Sequence, residues 1–122
     1  MMRAHMNPTI TRAKIFCKRL KEARLAAGLS QKKLGIAAGI DEFVASTRIN
    51  RYEKGIHEVD INTAQNLAKA LNVPLPYFYT IDDQLAFVIL HFLKLPCDVR
   101  AEILSIITSH GIHQNSSSDT KL

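Results

Sequence analysis

Glycines and prolines divide this chain into short segments, and their spacing is the feature that most constrains its fold. Gly28, Gly39 and Gly55 each follow a stretch of helical character, at the place where a helix C-terminus favours glycine. Pro74 and Pro96 stop two further stretches, because the residue before a proline is pushed out of the α region. Apart from the ambiguous run AFVIL, no segment suggests a strand. The chain is therefore predicted to be all-α and built from short helices.

Five helices are predicted in the first 80 residues, at about 11–27, 31–38, 42–54, 61–71 and 77–79. Ser30, Asp41 and Asp60 each stand just before one of them and can accept an orphan backbone N–H as an N-cap. Pro76 is placed to open the fifth helix. A sixth segment begins at Asp82-Asp83, which are interpreted as capping acids, and a last helix follows Asp98.

The positive charge of the chain lies almost entirely in its first half. Of its 122 residues, the first 60 contain 12 Lys and Arg against 6 Asp and Glu, whereas the remainder contains 4 against 5. This asymmetry suggests a polyanion-binding module followed by a part that packs against protein. A basic surface that is merely solvated explains the charge equally well, since a basic footprint is necessary for phosphate binding and not sufficient.

Several classes of function find no support in the sequence. Cys17 and Cys97 form no C-x-x-C pair and are predicted to be small buried or half-buried thiols in a reducing cytoplasm. The first residues do not read as a secretory signal, and the longest apolar run is far below the ~20 residues that span a bilayer. His110 and His113 lack ligand companions. We therefore expect a cytoplasmic protein that is not an enzyme, without metal, cofactor, membrane contact or evident small-molecule ligand.

The third predicted helix is amphipathic in an unusual way. At about 100° per residue, Ala45, Ile49 and Tyr52 cluster on a face that must be buried. The other sides carry hydroxyl, amide and basic side chains: Ser46, Thr47, Arg48, Asn50, Arg51 and Lys54. Such donors suit base edges and phosphates. An ordinary amphipathic surface helix with a wet polar side is the alternative interpretation.

Four motifs that occur in a fixed order along the chain support the interpretation that the third predicted helix contacts nucleic acid. RLKEAR lies in the first helix, GLSQ opens the second, RYEKG closes the third and LAKALNVPL ends the fourth. Together these motifs, between Arg19 and Phe78, resemble the phage-repressor type (XRE, Cro/CI-like) of helix-turn-helix transcriptional regulators. The resemblance implies a five-helix, lambda-repressor-like DNA-binding domain. In that family the second helix crosses the DNA backbone, and the third, the recognition helix, enters the major groove.

The resemblance also implies roles for individual residues. Gln31 matches a position that touches phosphate and braces the recognition helix, and Lys54 matches a second phosphate contact. The positions that usually read bases are Ser46, Thr47, Arg48 and Arg51, with Asn50 nearby. Tyr52 and Glu53 match structural positions and are left outside the site. Between Gly39 and Gly55 this chain has about four residues more than is usual, around DEFV, which either lengthen the turn or extend the third helix and leave the base-reading register open.

The second half of the chain carries more apolar surface than one helix packed on a small domain can bury. The run LAFVILHFL predicts a helical hairpin, residues 81–110, that completes a homodimer interface. The expected contacts are Phe87, Ile89, Leu90, Phe92, Leu93, Ile103 and Ile107. A hairpin folded wholly onto its own domain is the alternative.

The predicted organisation is a flexible arm at 1–11, the DNA-binding domain at 12–80, the dimerisation hairpin at 81–110 and a disordered tail at 111–122. The predicted function is that of a sequence-specific regulator of transcription that binds double-stranded DNA as a homodimer. Of the two possible roles, repressor is favoured over activator. The rival hypothesis is an antitoxin-like or adaptor module whose apolar C-terminal helices bind another protein.

Overall fold

A computed structural model describes the backbone of residues 8–111 and the side chains of residues 13–111. Within that range the chain forms six α-helices and one 3₁₀ helix, and none of it is in a strand. The α-helices are α1 (Pro8–Ala26), α2 (Gln31–Ala37), α3 (Ala45–Lys54), α4 (Ile61–Leu71), α5 (Asp83–Phe92) and α6 (Cys97–His110). The 3₁₀ helix, Leu75–Tyr79, lies between α4 and α5. The prediction of an all-α fold is confirmed.

Local capping accounts for where three of these helices begin. The Ser30 hydroxyl accepts the N–H of Lys33 at 3.0 Å, and the Asp60 carboxylate accepts that of Thr63 at 2.8 Å. Asp82 does the same for Leu85 at 2.8 Å. Each of these bonds satisfies a donor that the first turn would otherwise leave without a partner. The predicted caps Ser30, Asp60 and Asp82 are thus confirmed.

The start of α3 differs from the prediction. We expected Asp41 to cap a helix from residue 42, but α3 begins at Ala45 and its N-cap is Val44, whose side chain cannot accept a hydrogen bond. Asp41 instead closes a local turn: its side chain accepts the Phe43 N–H at 3.3 Å, and its carbonyl oxygen accepts the Val44 N–H at 3.0 Å. Aspartate often forms such turns in competition with helix capping. The four surplus residues therefore lengthen the turn.

The first helix also starts earlier than expected. α1 begins at Pro8, so residues 8–11, which we assigned to the flexible arm, form its first turn. Proline is tolerated there because the first helical N–H groups have no partner within the helix. The rest of the predicted arm, residues 1–7, and the predicted tail from residue 112 lie outside the described residues.

The described residues divide into two compact units, the first ending at Leu90 and the second beginning at His91. The core of the first contains one large, fully buried side chain from each of its first five helical elements: Leu20, Leu34, Ile49, Leu67 and Phe78. Burying a side chain of this size contributes roughly 1.5–3 kcal/mol, so the apolar stripes of the five elements are the main source of stability. Ala86 of α5 joins the same core.

A buried arginine of α1 forms hydrogen bonds to the segment that follows the 3₁₀ helix. Arg19 of α1 is only 4% exposed. Its Nε and Nη2 donate to the carbonyl oxygen of Thr80 at 3.0 and 2.7 Å, and Nη2 also donates to Asp83 at 3.0 Å. The hydrogen bond from Arg19, together with the positive charge of Lys18, lowers the pKa of Asp83. Arg19 therefore joins α1 to the first turn of α5.

The last two helices leave much apolar surface exposed. On α5, Leu85, Phe87 and Val88 are about half exposed or more. Ile89 and Leu90 are half-buried against the core of the first unit, so two of the predicted dimer contacts pack at least partly on their own domain. In the second unit no residue of α6 is buried. None of the described helices is long and apolar enough to cross a membrane.

Candidate nucleic-acid interface

The helix predicted to recognise DNA, α3, is anchored by its apolar side. Ala45 and Ile49 are fully buried and Tyr52 is 6% exposed, as the helical spacing predicted. Five of the seven predicted DNA-binding side chains are exposed: Ser46, Thr47, Arg48, Arg51 and Lys54. The other two, Gln31 and Asn50, are half-buried. The front of α3 is thus open to a ligand while its back is held by the core.

The N-terminal end of α3 is fixed by a very close approach to α2. A Cβ atom added at Gly35 would lie 2.6 Å from the Cβ of Ala45 and 3.0 Å from its Cα, so only glycine fits there without a shift. Two small residues at a crossing allow the helix backbones to come together. Because Ala45 is the first residue of α3, this contact sets where the exposed front begins.

The C-terminal end of α3 is held by a buried ion pair. Arg24 of α1 donates to Glu53 through Nε at 2.6 Å and through Nη2 at 3.1 Å, and the two side chains are 10% and 5% exposed. Arg24 also donates to the carbonyl oxygen of Leu29 at 2.9 Å. Two parallel hydrogen bonds between a guanidinium and a carboxylate fix orientation as well as distance. Arg24 therefore ties the last turn of α3 to α1.

Gln31 extends this network from α2. Its amide nitrogen donates to the carboxylate of Glu53 at 3.1 Å and to the side-chain oxygen of Asn50 at 3.2 Å. The bracing that we expected of Gln31 is therefore present. The Asn50 oxygen accepts this one hydrogen bond and keeps a second lone pair. Bidentate recognition of adenine needs both the oxygen and the nitrogen, so an adenine contact requires Asn50 to share its oxygen between Gln31 and the base.

Sequence reasoning missed Arg24 and underrated Glu53. Arg24 entered the sequence analysis only as the last residue of the motif RLKEAR, and Glu53 was left outside the site. The sequence contained one clue to this ion pair: Glu53 is an acidic residue among basic residues near the end of α3, which suggests that it pairs with a cationic side chain. Its partner could not be identified from helical spacing, because the two residues lie 29 positions apart.

The exposed charge along α2 and α3 is mainly positive. It comes from the cationic side chains Lys32, Lys33, Arg48, Arg51 and Lys54. The carboxylate of Glu53 is neutralised by Arg24, and the exposed acids of this region are Asp41 and Glu42 in the turn. A positive surface of this kind attracts phosphates and raises the rate of encounter with nucleic acid.

A pocket of about 380 Å³ lies behind the C-terminus of α3. Its lining includes Cys17, Tyr52 and Tyr79. Burial raises the pKa of the Cys17 thiol, which fits the prediction of a half-buried cysteine. Cys97, by contrast, is exposed, so the same prediction was wrong for it. Both cysteines are free thiols.

Comparison with known proteins agrees with the arrangement of these helices. A helix-turn-helix family model matches residues 20–78. The crystal structure of the transcriptional regulator BswR matches with a TM-score of 0.72 and 42% sequence identity, over 76% of this chain and 92% of that protein. The chain belongs to the helix-turn-helix family of transcriptional regulators, of the phage-repressor (XRE) type that its motifs predicted.

Two curated relatives carry the same family description. They are uncharacterised HTH-type transcriptional regulators of Sinorhizobium medicae (strain WSM419) and Rhizobium meliloti (strain 1021), each 38% identical to this chain over 61 residues. The match covers 50% of this chain and 41% of each relative. The chain thus spans about two-fifths of the length of the curated relatives it matches.

Proposed function

We propose that the chain binds double-stranded DNA in a sequence-specific manner, with α3 in the major groove, and represses transcription by occupying its site as a homodimer. The observation that carries this proposal is that α3 is anchored on one side and exposed on the other. Its back is buried through Ala45, Ile49 and Tyr52, its ends are fixed to α1 and α2, and its donor-rich front is exposed. A helix held in this way presents side chains in a fixed register, which reading of base edges requires.

The side chains divide by chemistry into two sets. Lys54 and Gln31 are proposed to contact phosphates, which supply most of the affinity and make it fall steeply with salt. Ser46, Thr47, Arg48 and Arg51 are proposed to face base edges, where one bidentate arginine–guanine contact is worth about 1–3 kcal/mol of discrimination. Asn50 supports them and donates through its amide nitrogen.

Arg51→Ala tests the assignment of α3 to the groove. Duplexes bound by the full chain are first selected from a random pool, and the affinities for selected and scrambled duplexes are then compared by gel shift. The variant should lose roughly 5-fold to 150-fold in preference for the selected duplex, and its melting temperature should stay unchanged because Arg51 is exposed. Lys69→Ala, which removes an exposed charge from α4, is the control and should keep the preference. Unaltered selectivity in Arg51→Ala would contradict the proposal.

The homodimer is proposed from two sets of exposed apolar side chains, one on α5 and one on α6. Of the seven predicted contacts, Phe87, Leu93 and Ile107 are exposed, and Phe92 and Ile103 are half-buried. Leu104 and Ile106 add to the exposed apolar set in α6. A symmetric dimer would place two recognition helices about 34–36 Å apart, or a multiple of that distance, and would bind a palindromic site.

Sedimentation of the full chain tests this assembly. A dimer that persists at high salt, and that Leu104→Glu converts to a monomer, is the expected result. The same exposed surface on α6 supports a second candidate, an antitoxin-like or adaptor module that binds another protein. A chain that stays monomeric and selects no palindromic duplex would favour that candidate over the dimeric repressor.

A further inference from the structure

Phe43 is the most exposed large apolar side chain in the part of the chain for which side chains are described, at 86%. It belongs to the four-residue surplus that separates this chain from the usual helix-turn-helix spacing. Since the ring packs so little on its own domain, the core does not account for it. The turn that carries Phe43 is held by backbone and side-chain hydrogen bonds, so the ring is exposed by an ordered backbone conformation.

The backbone of the turn fixes where Phe43 stands. The Phe43 N–H is bound by the Asp41 side chain at 3.3 Å, the Val44 N–H by the Asp41 carbonyl oxygen at 3.0 Å, and the Arg48 N–H by the Val44 carbonyl oxygen at 2.9 Å. These three bonds connect the turn to the first turn of α3 without interruption. Phe43 is therefore held directly ahead of the helix proposed to enter the groove.

Phe43 lies close to the donor-rich front along the chain. It stands in the turn two residues before Ala45, the first residue of α3, and Ser46 and Thr47 follow in the first turn of the helix. The exposed ring therefore lies next to the N-terminal end of α3. In the proposed docking the N-terminal residues of the recognition helix contact the base edges, which brings the exposed ring close to them.

We propose that Phe43 reads sequence by contact between its ring and the 5-methyl group of a thymine in the major groove. This inference rests on the proposed DNA binding. The ring has no donor or acceptor for a phosphate or for a polar base edge, and the thymine methyl is the apolar group that the major groove displays. The acidic neighbours Asp41 and Glu42 also disfavour a position of this turn against phosphates. The chain thus gains a base contact that its longer turn makes possible.

Uridine scanning tests the contact. In a duplex selected by the full chain, each thymine is replaced in turn by deoxyuridine, which removes the methyl group alone. At one thymine in each half-site the replacement should weaken binding by wild type roughly fourfold, the value expected for one buried methyl. Phe43→Ala should bind the thymine duplex more weakly and should no longer distinguish thymine from uridine at that position. Phe43→Leu should keep part of the distinction.

Leu25→Ala is the matched control, since Leu25 is an apolar residue that is 58% exposed, lies in the last turn of α1 and is not among the proposed DNA contacts. It should behave as wild type on every duplex. If Arg51→Ala loses sequence preference but no thymine depends on Phe43, or if Phe43→Ala weakens all duplexes equally, the methyl contact is overturned and the proposed function stands. If wild type selects no sequence at all, the proposed function fails and the methyl contact fails with it.

Discussion

The ion pair between Arg24 and Glu53 allows a direct test of how the recognition helix is held. Glu53→Gln keeps the shape of the side chain but leaves the guanidinium of Arg24, 10% exposed, without its counter-charge. Breaking a buried pair from one side typically destabilises by about 3–5 kcal/mol. Folded domains have a stability of about 5–15 kcal/mol, so the loss would be a large part of the total. A loss of about 3 kcal/mol would lower the melting temperature by roughly 12–24 °C.

Thermal and urea unfolding followed by circular dichroism measure this effect, and two variants control it. Glu22→Gln removes a carboxylate that is 49% exposed and 3.6 Å from Arg19, and it should change stability by less than about 0.5 kcal/mol. Arg24→Leu combined with Glu53→Leu should be less destabilised than Glu53→Gln, because no buried charge is left unpaired. If Glu53→Gln proves as mild as Glu22→Gln, the pair does not hold α3 and the reasoning is refuted.

Two further outcomes follow from the structure. Gly35→Ala should lower stability, because overpacking against Ala45 costs about 1–3 kcal/mol while the gain in helix propensity is about 1 kcal/mol. Adding Ala45→Gly to this variant should reduce the loss. If urea unfolding shows that Gly35→Ala is more stable than wild type, the close contact is contradicted. The pKa of Asp83 lies below its ordinary value of 3.8, mainly because its carboxylate accepts a hydrogen bond from Arg19. The stability that this carboxylate contributes is therefore fully present above pH 3.8 and is lost as the pH falls through the lowered pKa. The difference in melting temperature between wild type and Asp83→Asn should therefore shrink between pH 7 and pH 2, and a constant difference would argue against the bond.

The features that the sequence predicted correctly are local ones. Ser30 and Asp60 were identified as caps because each bonds an N–H three residues ahead, within the same short segment. The buried side of α3 followed from helical spacing alone, since Ala45, Ile49 and Tyr52 recur at steps of four and three. Asp41 was the exception, because an aspartate can close a turn as well as cap a helix and the sequence does not show which of the two prevails.

The contacts that could not be predicted join residues far apart in the chain. Arg24 and Glu53 are 29 positions apart, and Arg19 and Thr80 are 61 apart. A helical wheel assigns arginine to the solvent, whereas both arginines are buried and satisfied by acceptors from other elements. Burial of such a side chain depends on which elements meet. Only the three-dimensional structure supplies that information.

The two ends of α3 are held by different physical means, and this has a consequence for recognition. Ala45 is fixed by close packing against Gly35, and Glu53 by charged hydrogen bonds to Arg24 and Gln31. Phosphate contacts made by flexible lysines tolerate a small displacement of the helix, whereas a bidentate contact to a base edge does not. If α3 reads base edges as proposed, loosening either of its ends should therefore reduce discrimination between duplexes more than it reduces affinity for DNA as such, even though Gly35, Arg24 and Glu53 are not among the proposed DNA contacts.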